Sequence, residues 1–439
     1  MPGRWLATPG QREASRSAPA SWRLLVFRAE LEICAPPSRP TVRWMNCIGP
    51  GRRLRILRML CRATPLCCLA FFSVFSGWMQ LSAAPAEPVH AIAPPLNPLP
   101  PEEQSSNITR FSFIVYGDTR GRRDGQQVQY EHSLTVDSVL ATAAKLQNTA
   151  FPVRFVLQTG DAVVNGRDPQ QWNASFITLI NRITTEAGIP YFLAPGNHDV
   201  SAADALGSTD RREGLQNYLS AMDRLIPPDG AARRLKGYPT YAFAYGNSFF
   251  IALDSNIASD TTQLRWVRRQ LEGLDRRRYP HVFAFFHHPP FSSGPHGGAV
   301  VERPAAELRK HYMPLFRKHR VDAIFSGHEH LFEHWVERYQ DSGGRNRRLD
   351  EIVTGGGGAP LYGFQGEPDT RDYIQAYAAE KVQLEHLVRP ALEPGGTPYH
   401  YVLVSVDGDR LQLEVIGIDW GRDFKPYRSN KTTLEPPER

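Results

Sequence analysis

Five apolar segments between residues 111 and 326 each end in a short polar cluster, and this order constrains the fold more than any other feature of the sequence. The clusters are Gly117-Asp118-Thr119-Arg120, Gly160-Asp161, Gly196-Asn197-His198-Asp199, His287-His288-Pro289-Pro290 and Gly327-His328-Glu329-His330. Loops at the carboxyl ends of strands in an open α/β sheet converge on one crevice. Asp, Asn and His supply oxygen and imidazole donors that suit Mn, Fe or Zn. The sequence therefore predicts one metal site built from five strand ends.

Short β-rich segments alternate with amphipathic ones, a pattern typical of a layered α/β core. The predicted strands are 111–117, 153–159, 190–194, 241–245, 249–253, 282–286, 321–326, 350–353, 401–406 and 411–418, the last two joined by a turn at Asp407-Gly408. The predicted helices are 134–148, 169–186, 214–225, 262–275 and 304–319. A Gly-rich loop at 291–298, which carries His296, is expected to overhang the site.

The order and spacing of the five clusters resemble the calcineurin-like metallophosphoesterases, a superfamily that includes the purple acid phosphatases. The resemblance covers roughly residues 110–420 and extends to the glycine run at Gly355–Gly358. It implies a four-layer α/β/β/α sandwich, in which two mixed sheets are flanked by helices. It also implies two divalent metal ions, with Mn, Fe, Zn or a similar metal left open.

The resemblance implies a role for each residue of the clusters. Six residues match the family's metal ligands: Asp118 and His330 for the first metal, Asp161 as the bridge, and Asn197, His287 and His328 for the second. His198 would face the substrate as general acid, oriented by Asp199. Two cations can clamp a phosphoryl group and generate hydroxide at neutral pH, while a histidine protonates the leaving oxygen.

The sequence departs from the family pattern at the first metal. Members usually add a His two residues after the first Asp, or a Tyr three residues after the bridging Asp, where this chain has Arg120 and Val164. Water or Asn165 could fill the gap. Arg120 could bind the substrate phosphate through two parallel hydrogen bonds, or it could pair with a carboxylate such as Asp124 and fix a loop. We expect the first metal to be bound more weakly than the second.

The sequence predicts five segments. Residues 1–44 are expected to be an unstructured extension or to lie upstream of the true start; residues 45–86 match a signal peptide, with a basic flank, a short apolar run and a small-residue end. A Pro-rich linker is predicted at 87–109, a metallophosphoesterase domain at 110–425 and a tail at 426–439. An insertion at 200–240, which is rich in Arg, could be a lid that binds substrate or a solvated charged face.

Charge and cysteine content narrow the function further. Residues 1–86 carry twelve Arg and three Glu, which leaves the rest of the chain at −3 against a total of +6, so a nucleic-acid partner is not expected. All five cysteines precede residue 69, so the body of the chain tolerates an oxidising compartment. We therefore expect a secreted or periplasmic protein that has no stable membrane insertion after signal cleavage. Its oligomeric state is not predicted.

The favoured function is that of an exported, metal-dependent phosphoesterase acting on small phosphate esters, with a phosphomonoesterase preferred. A phosphodiesterase or nucleotide pyrophosphatase would use the same site. A non-catalytic binding protein with weakened first-metal ligation is the third interpretation, which rests on Arg120 and Val164.

Overall fold

The computed structural model describes residues 87–201, 207–298, 300–418 and 424–434; the predictions for 1–44 and 45–86 lie outside these residues. The described strands are β1 (Arg110–Tyr116), β2 (Val153–Gln158), β3 (Tyr191–Leu193), β4 (Tyr241–Tyr245), β5 (Ser248–Ala252), β6 (His281–Phe285), β7 (Ala323–Ser326), β8 (Phe332–Gln340), β9 (Asn346–Thr354), β10 (Gln383–Val388), β11 (Tyr399–Asp407), β12 (Arg410–Ile418) and β13 (Lys431–Leu434). The sequence did not predict β8, β10 or β13.

These strands form two mixed sheets. The first has the order β13-β12-β11-β1-β2-β3, in which β1, β2 and β3 are parallel and the other neighbours are antiparallel. The second has the order β10-β8-β9-β7-β6-β5-β4, in which β5, β6, β7 and β9 run parallel. The parallel strands carry all five polar clusters, so their loops open at the same edge of the sandwich.

The described helices are α1 (Tyr130–Leu146), α2 (Thr178–Arg182), α3 (Asn197–Val200), α4 (Thr209–Met222), α5 (Thr261–Glu272), α6 (Arg303–His311), α7 (Met313–Lys318) and α8 (Arg371–Ala376). Wider π-helical turns at Gln171–Ile177 and Ile183–Ala187 extend α2 on both sides, and 3-10 turns lie at Ser255–Ile257 and Ala378–Glu380. The single helix predicted over 304–319 is two helices, α6 and α7. Pro314 lies in the first turn of α7, where its missing N–H and its ring prevent one continuous helix.

The hydrophobic core confirms the expected four layers. Along the second sheet, Phe250, Phe283 and Phe325 face the first sheet, where Phe250 meets Phe113 with ring centroids 5.2 Å apart. Alternate residues of the same strands face the other way and pack against α5, α6 and α7. On the opposite face of the first sheet, α1 buries residues at a spacing of three or four, such as Val136 and Val139. Each sheet is therefore covered by helices on its outer face.

Residues 87–109 pack on the domain, so the prediction of a linker there is wrong. Ile92 is fully buried, and its N–H donates to the Ala221 carbonyl at 2.9 Å. The Leu96 N–H donates to the Thr184 carbonyl, and the Glu102 carboxylate pairs with Arg233 at 2.9 Å. A Pro-rich segment that cannot form a ladder of its own thus satisfies part of its backbone on neighbouring helices.

The predicted tail at 426–439 is likewise ordered over its described part. Strand β13 pairs with β12, and the Tyr427 hydroxyl lies 2.8 Å from Nδ1 of His334. Among the described residues, no helix combines the length and the hydropathy needed to cross a lipid bilayer.

Candidate metal centre

Three residues that follow the strand ends have an unusual backbone conformation. Asp118, Asp161 and His328 have φ angles of 59°, 55° and 68°, in the left-handed region that costs a side chain of this kind about 1–3 kcal/mol. Neighbouring loops hold these residues: the Asp118 N–H donates to the Gly160 carbonyl at 2.9 Å, and the Gly327 N–H donates to the His287 carbonyl at 2.9 Å. The surrounding fold thus maintains a strained arrangement at the point where the sequence predicts the site.

Two glycines allow this close approach. Gly160 has a φ of +105°, and a Cβ atom there would lie 2.8 Å from Nδ1 of His287. A Cβ atom on Gly196 would lie 2.2 Å from Oδ1 of Asp161. Since real Cβ contacts do not reach these distances, neither position accepts alanine without movement of a candidate ligand.

The predicted ligands Asn197, His328 and Asp161 lie around Nε2 of His287, at a place that we call the second position. From Nε2 of His287, the distances are 2.8 Å to Oδ1 of Asn197, 3.1 Å to Nδ1 of His328 and 3.3 Å to Oδ1 of Asp161. A tetrahedral ion with bonds of about 2.0–2.1 Å separates its ligand atoms by roughly 3.3 Å. The three distances from Nε2 of His287 are therefore close to those between ligands of one divalent cation.

The outer hydrogen bonds of the His287 and His328 imidazoles determine which ring nitrogens carry a lone pair toward the second position. Nδ1 of His287 lies 2.9 Å from the Thr159 carbonyl, and Nε2 of His328 lies 3.0 Å from Oε2 of Glu302. Each of these nitrogens must carry the ring proton, because a carbonyl or a carboxylate can only accept. Nε2 of His287 and Nδ1 of His328 consequently turn lone pairs toward each other, and Nε2 of His287 also faces the Asp161 carboxylate. Such a set of acceptors fits a bound cation.

Asp118 and His330 mark the place expected for the first metal, which we call the first position, and Arg120 lies there as well. Nε2 of His330 lies 3.4 Å from Oδ1 of Asp118, as two ligands of one metal would, and Nδ1 of His330 donates to the Pro360 carbonyl at 2.7 Å. Arg120 reaches into the same place, with Nη2 at 3.3 Å from Nε2 of His330 and Nε at 3.2 Å from Oδ2 of Asp161. Asp161, and not Asp124, is therefore the carboxylate that Arg120 pairs with. The residues of this position fit a metal only if Arg120 leaves.

The charges at the site shift the pKa of both partners of this pair. Burial raises the pKa of Asp161, but His287, His198 and Arg120 outweigh it and leave the pKa below its usual value. Burial lowers the pKa of Arg120, but the Asp161 and Asp118 carboxylates outweigh that and raise it. Asp161 is therefore ionised and Arg120 is charged.

His198 lies at the open side of the site. Its side chain is 31% exposed, its Nδ1 donates to the Val164 carbonyl at 2.7 Å, and its Nε2 lies 3.9 Å from Oδ2 of Asp161. The side chain of Val164 cannot bind a metal, but its backbone orients the predicted general acid. The Asn165 amide oxygen accepts from the Arg167 N–H at 3.3 Å, an arrangement within its own loop.

The expectation that Asp199 orients His198 is wrong. The Asp199 carboxylate is buried and accepts the backbone N–H groups of Asp161, Ala162 and Gly196 at 2.8–2.9 Å. Burial and the Asp161 charge raise the pKa of Asp199 to about 8, although these N–H donors lower it. Asp199 therefore joins two of the site loops through their backbones.

Two further residues contact the predicted ligands, one at each position, and carry no signal in the sequence. Glu302, at the start of α6, accepts from Nε2 of His328 and lies 2.9 Å from Nδ1 of His296, and these two bonds keep its pKa below its usual value. Tyr362 stacks on His330, with ring centroids 4.1 Å apart. Neither residue belongs to a recognisable motif, because each reaches the site only through tertiary packing.

The loop at 291–298 overhangs the site as expected. The His296 ring lies 4.5 Å from that of His328, and a cavity of about 660 Å³, lined by Asn197, His288 and Glu302 among others, adjoins this edge. Burial lowers the pKa of His288 well below its usual value, so its ring is neutral; Nδ1 lies 2.9 Å from Oγ of Ser255.

The arginines of the 200–240 insertion bind elsewhere in the fold. Arg211 is buried and pairs with Asp254 at 2.5 Å, and Arg233 pairs with Glu102. Arg234 is buried as well and donates to the Pro227 carbonyl at 2.9 Å. For Arg211 and Arg234, both the lid and the solvated face are wrong, because internal partners hold their guanidinium groups; the side chain of Arg233 is 32% exposed.

Known proteins are similar to this chain in sequence and in fold. Residues 112–332 match the model of the calcineurin-like phosphoesterase family. The chain is 25% identical over 181 residues to the Fe(3+)-Zn(2+) purple acid phosphatase 12 of Arabidopsis thaliana, which covers 40% of this chain but only 36% of that protein. It is 25% identical over 280 residues to a nucleotide pyrophosphatase/phosphodiesterase of Hordeum vulgare, covering 60% of this chain and 73% of that protein.

A solved structure has the same architecture. The purple acid phosphatase PPD1 from yellow lupin (Lupinus luteus) seeds superimposes with a TM-score of 0.53 and 19% identity, over 75% of this chain and 54% of that one. The family match spans both sheets and contains all five strand-end clusters. The chain therefore belongs to the calcineurin-like phosphoesterase family.

Proposed function

We propose that this protein is a metal-dependent hydrolase of phosphate esters. The observation that carries the proposal is the second position, where Nε2 of His287 lies 3.1 Å from Nδ1 of His328 and 3.3 Å from Oδ1 of Asp161. A divalent cation held there supplies Lewis-acid chemistry, since it polarises a phosphoryl oxygen and makes bound water more acidic. The Asn197 amide oxygen, 2.8 Å from Nε2 of His287, would complete its ligands.

We assign the proton transfer to Nε2 of His198. Its Nδ1–H is already donated to the Val164 carbonyl, so Nε2 is the atom that can gain or release a proton. The Asp161 carboxylate lies 3.9 Å from this nitrogen, on the side of the metal position. Protonation of the departing oxygen by such a group contributes typically about 10²–10⁴-fold to the rate.

The choice between monoesters and diesters is part of the proposal. We favour a monoesterase, as the sequence predicted. The cavity of about 660 Å³ beside His296 and Glu302 favours the alternative, because it offers room for a second ester group. The similarity to the barley nucleotide pyrophosphatase/phosphodiesterase, which extends over most of that protein, supports the same alternative.

The test compares three substrates with and without chelator. The purified chain is assayed on p-nitrophenyl phosphate, on bis-p-nitrophenyl phosphate and on a nucleotide pyrophosphate. Faster hydrolysis of the first supports a monoesterase, and faster hydrolysis of the other two supports the alternative. Activity that survives complete metal removal would refute the dependence on metal, and no activity on any substrate with metal restored would refute the proposed function and leave a binding role.

We also propose that the protein is exported after cleavage behind Ala86. The support is the basic flank and short apolar run within 45–86, together with the absence of cysteine from residues 69–439. N-terminal sequencing of the protein recovered from the extracytoplasmic fraction tests this. Recovery of uncleaved chain from the cytoplasm would contradict it.

A further inference from the structure

Arg120 and His330 contact each other at the place where the family holds its first metal ion. Nε2 of His330 has a single lone pair, because Nδ1 carries the ring proton and donates it to the Pro360 carbonyl. The Nη2 group of Arg120 lies 3.3 Å from that lone pair. One lone pair cannot serve a guanidinium N–H and a metal ion at the same time, so the two are alternative partners of His330.

The second contact of Arg120 repeats this competition. Its Nε donates to Oδ2 of Asp161 at 3.2 Å, while Oδ1 of Asp161 faces the second position and accepts the His198 backbone N–H at 3.0 Å. Asp161 thus presents one oxygen to each side, as a bridging carboxylate does. Oδ2, the oxygen on the side of the first position, already accepts a hydrogen bond from a cation, the Arg120 guanidinium.

The charge of the site leads to the same conclusion. Asp118 and Asp161 are the carboxylates at these positions, and Glu302 adds a third beside His328. One divalent ion together with Arg120 balances their charge. Two divalent ions would exceed it by two with Arg120 in place, at contact distances where like charges repel strongly. The guanidinium therefore replaces a metal ion more easily than it accompanies one.

We propose that the Arg120 guanidinium takes the place of the first metal ion, so that this chain holds one divalent cation and not two. The proposal rests on the proposed function for the second position and revises the two-metal expectation from the sequence. An arginine has five N–H donors, and the side chain of Arg120 is 19% exposed. Its free donors can bind the substrate's phosphoryl oxygens, a task for which the planar guanidinium is well suited.

The test is the metal content of the full chain after saturation with Mn²⁺ and removal of excess ion. We expect one ion per chain in the wild type and in Arg120→Lys, which keeps a cation without adding a ligand. Arg120→His introduces an imidazole where other family members have one, and we expect two ions per chain. The electron paramagnetic resonance of bound Mn²⁺ should change from that of an isolated ion to that of a coupled pair.

Two further results separate the failures. His330→Ala should bind one ion per chain, as the wild type does. A fall from two ions in the wild type to one in His330→Ala would overturn the proposal. Two ions in the wild type would overturn the one-cation proposal and leave the proposed function intact. No bound ion in the wild type would refute both. Circular dichroism of each variant verifies that it is folded.

Discussion

Nε2 of His287 lies 3.1 Å from Nδ1 of His328, and each ring donates its only proton in the opposite direction, to the Thr159 carbonyl and to Glu302. Two facing lone pairs repel unless something positive lies between them. Burial, the largest cause, and the neighbouring His287 lower the pKa of His328 to about 4, so protonation does not relieve the repulsion at neutral pH. A cation does.

Metal binding should therefore stabilise the fold through these histidines. An ion at 100 times its dissociation constant adds about 2.7 kcal/mol to the free energy of unfolding, which raises the melting temperature of a domain of this size by roughly 3–5 °C. His287→Ala should lose most of this shift. His311→Ala, which removes a surface histidine paired with Glu307, is the control and should keep it. An equal shift in both variants, measured by calorimetry with and without Zn²⁺, would contradict a site at His287.

Replacement of His198 should affect substrates according to their leaving group. We expect His198→Gln to lower kcat/KM by about 10²–10⁴-fold for an aliphatic phosphate, whose alkoxide needs a proton. The loss should be much smaller for p-nitrophenyl phosphate, because p-nitrophenolate leaves without one. Steady-state kinetics on the two substrates is the measurement. Equal losses on both would show that His198 acts in binding and not as an acid.

Asp199→Asn should destabilise the fold and leave the pH dependence of kcat/KM unchanged. An asparagine offers one acceptor oxygen where the carboxylate accepts the N–H groups of Asp161, Ala162 and Gly196. An unpaired buried N–H costs about 1–3 kcal/mol, which urea unfolding would detect. A shift of the kcat/KM profile with no loss of stability would instead restore the role in orienting His198 that the sequence suggested.

The site was predictable because glycine, aspartate and histidine recur at strand ends, and strand ends meet. What escaped prediction depends on atoms that carry no sequence signature. The Val164 carbonyl orients His198, yet every residue has a carbonyl. Glu302 lies 26 residues from His328 and reaches it only through the packing of α6.

Strand β8 was not predicted for a similar reason. Its sequence includes Glu333 and Glu337, which suggest an exposed segment, but both are buried. Glu337 pairs with Arg317 at 2.7 Å, and Glu333 accepts the Ser293 N–H at 2.9 Å. Charged residues with buried partners hide the alternation of apolar and polar positions that identifies a strand.

The segment 87–109 should contribute to stability as part of the domain. Ile92 is fully buried against the helices, and Ile92→Ala should cost about 2–5 kcal/mol through lost contacts and a new cavity. Leu96→Ala is the control, since Leu96 is 69% exposed and should cost little. Urea unfolding of both variants tests this. Equal stability in the two would mean that the segment is a tether after all.

The free energy of unfolding should depend on pH through His400. Burial lowers the pKa of His400 to about 4, and its Nδ1 lies 2.9 Å from the Pro398 carbonyl. Between the unfolded pKa near 6.5 and about 4, the unfolded chain binds a proton that the native ring does not. Stability is thus lost as pH falls through this window, by up to about 1.4 kcal/mol per pH unit for this residue.

His400→Gln removes that titration. Its free energy of unfolding, measured with urea in chelator at pH 5.0 and pH 6.5, should fall less than that of the wild type between the two values. Part of the slope should remain, because burial lowers the pKa of His132 to about 3 as well. His311→Gln alters a surface histidine that pairs with Glu307 and should keep most of the wild-type slope. If His400→Gln kept the full slope, His400 would be protonated in the native state, against the burial that surrounds it.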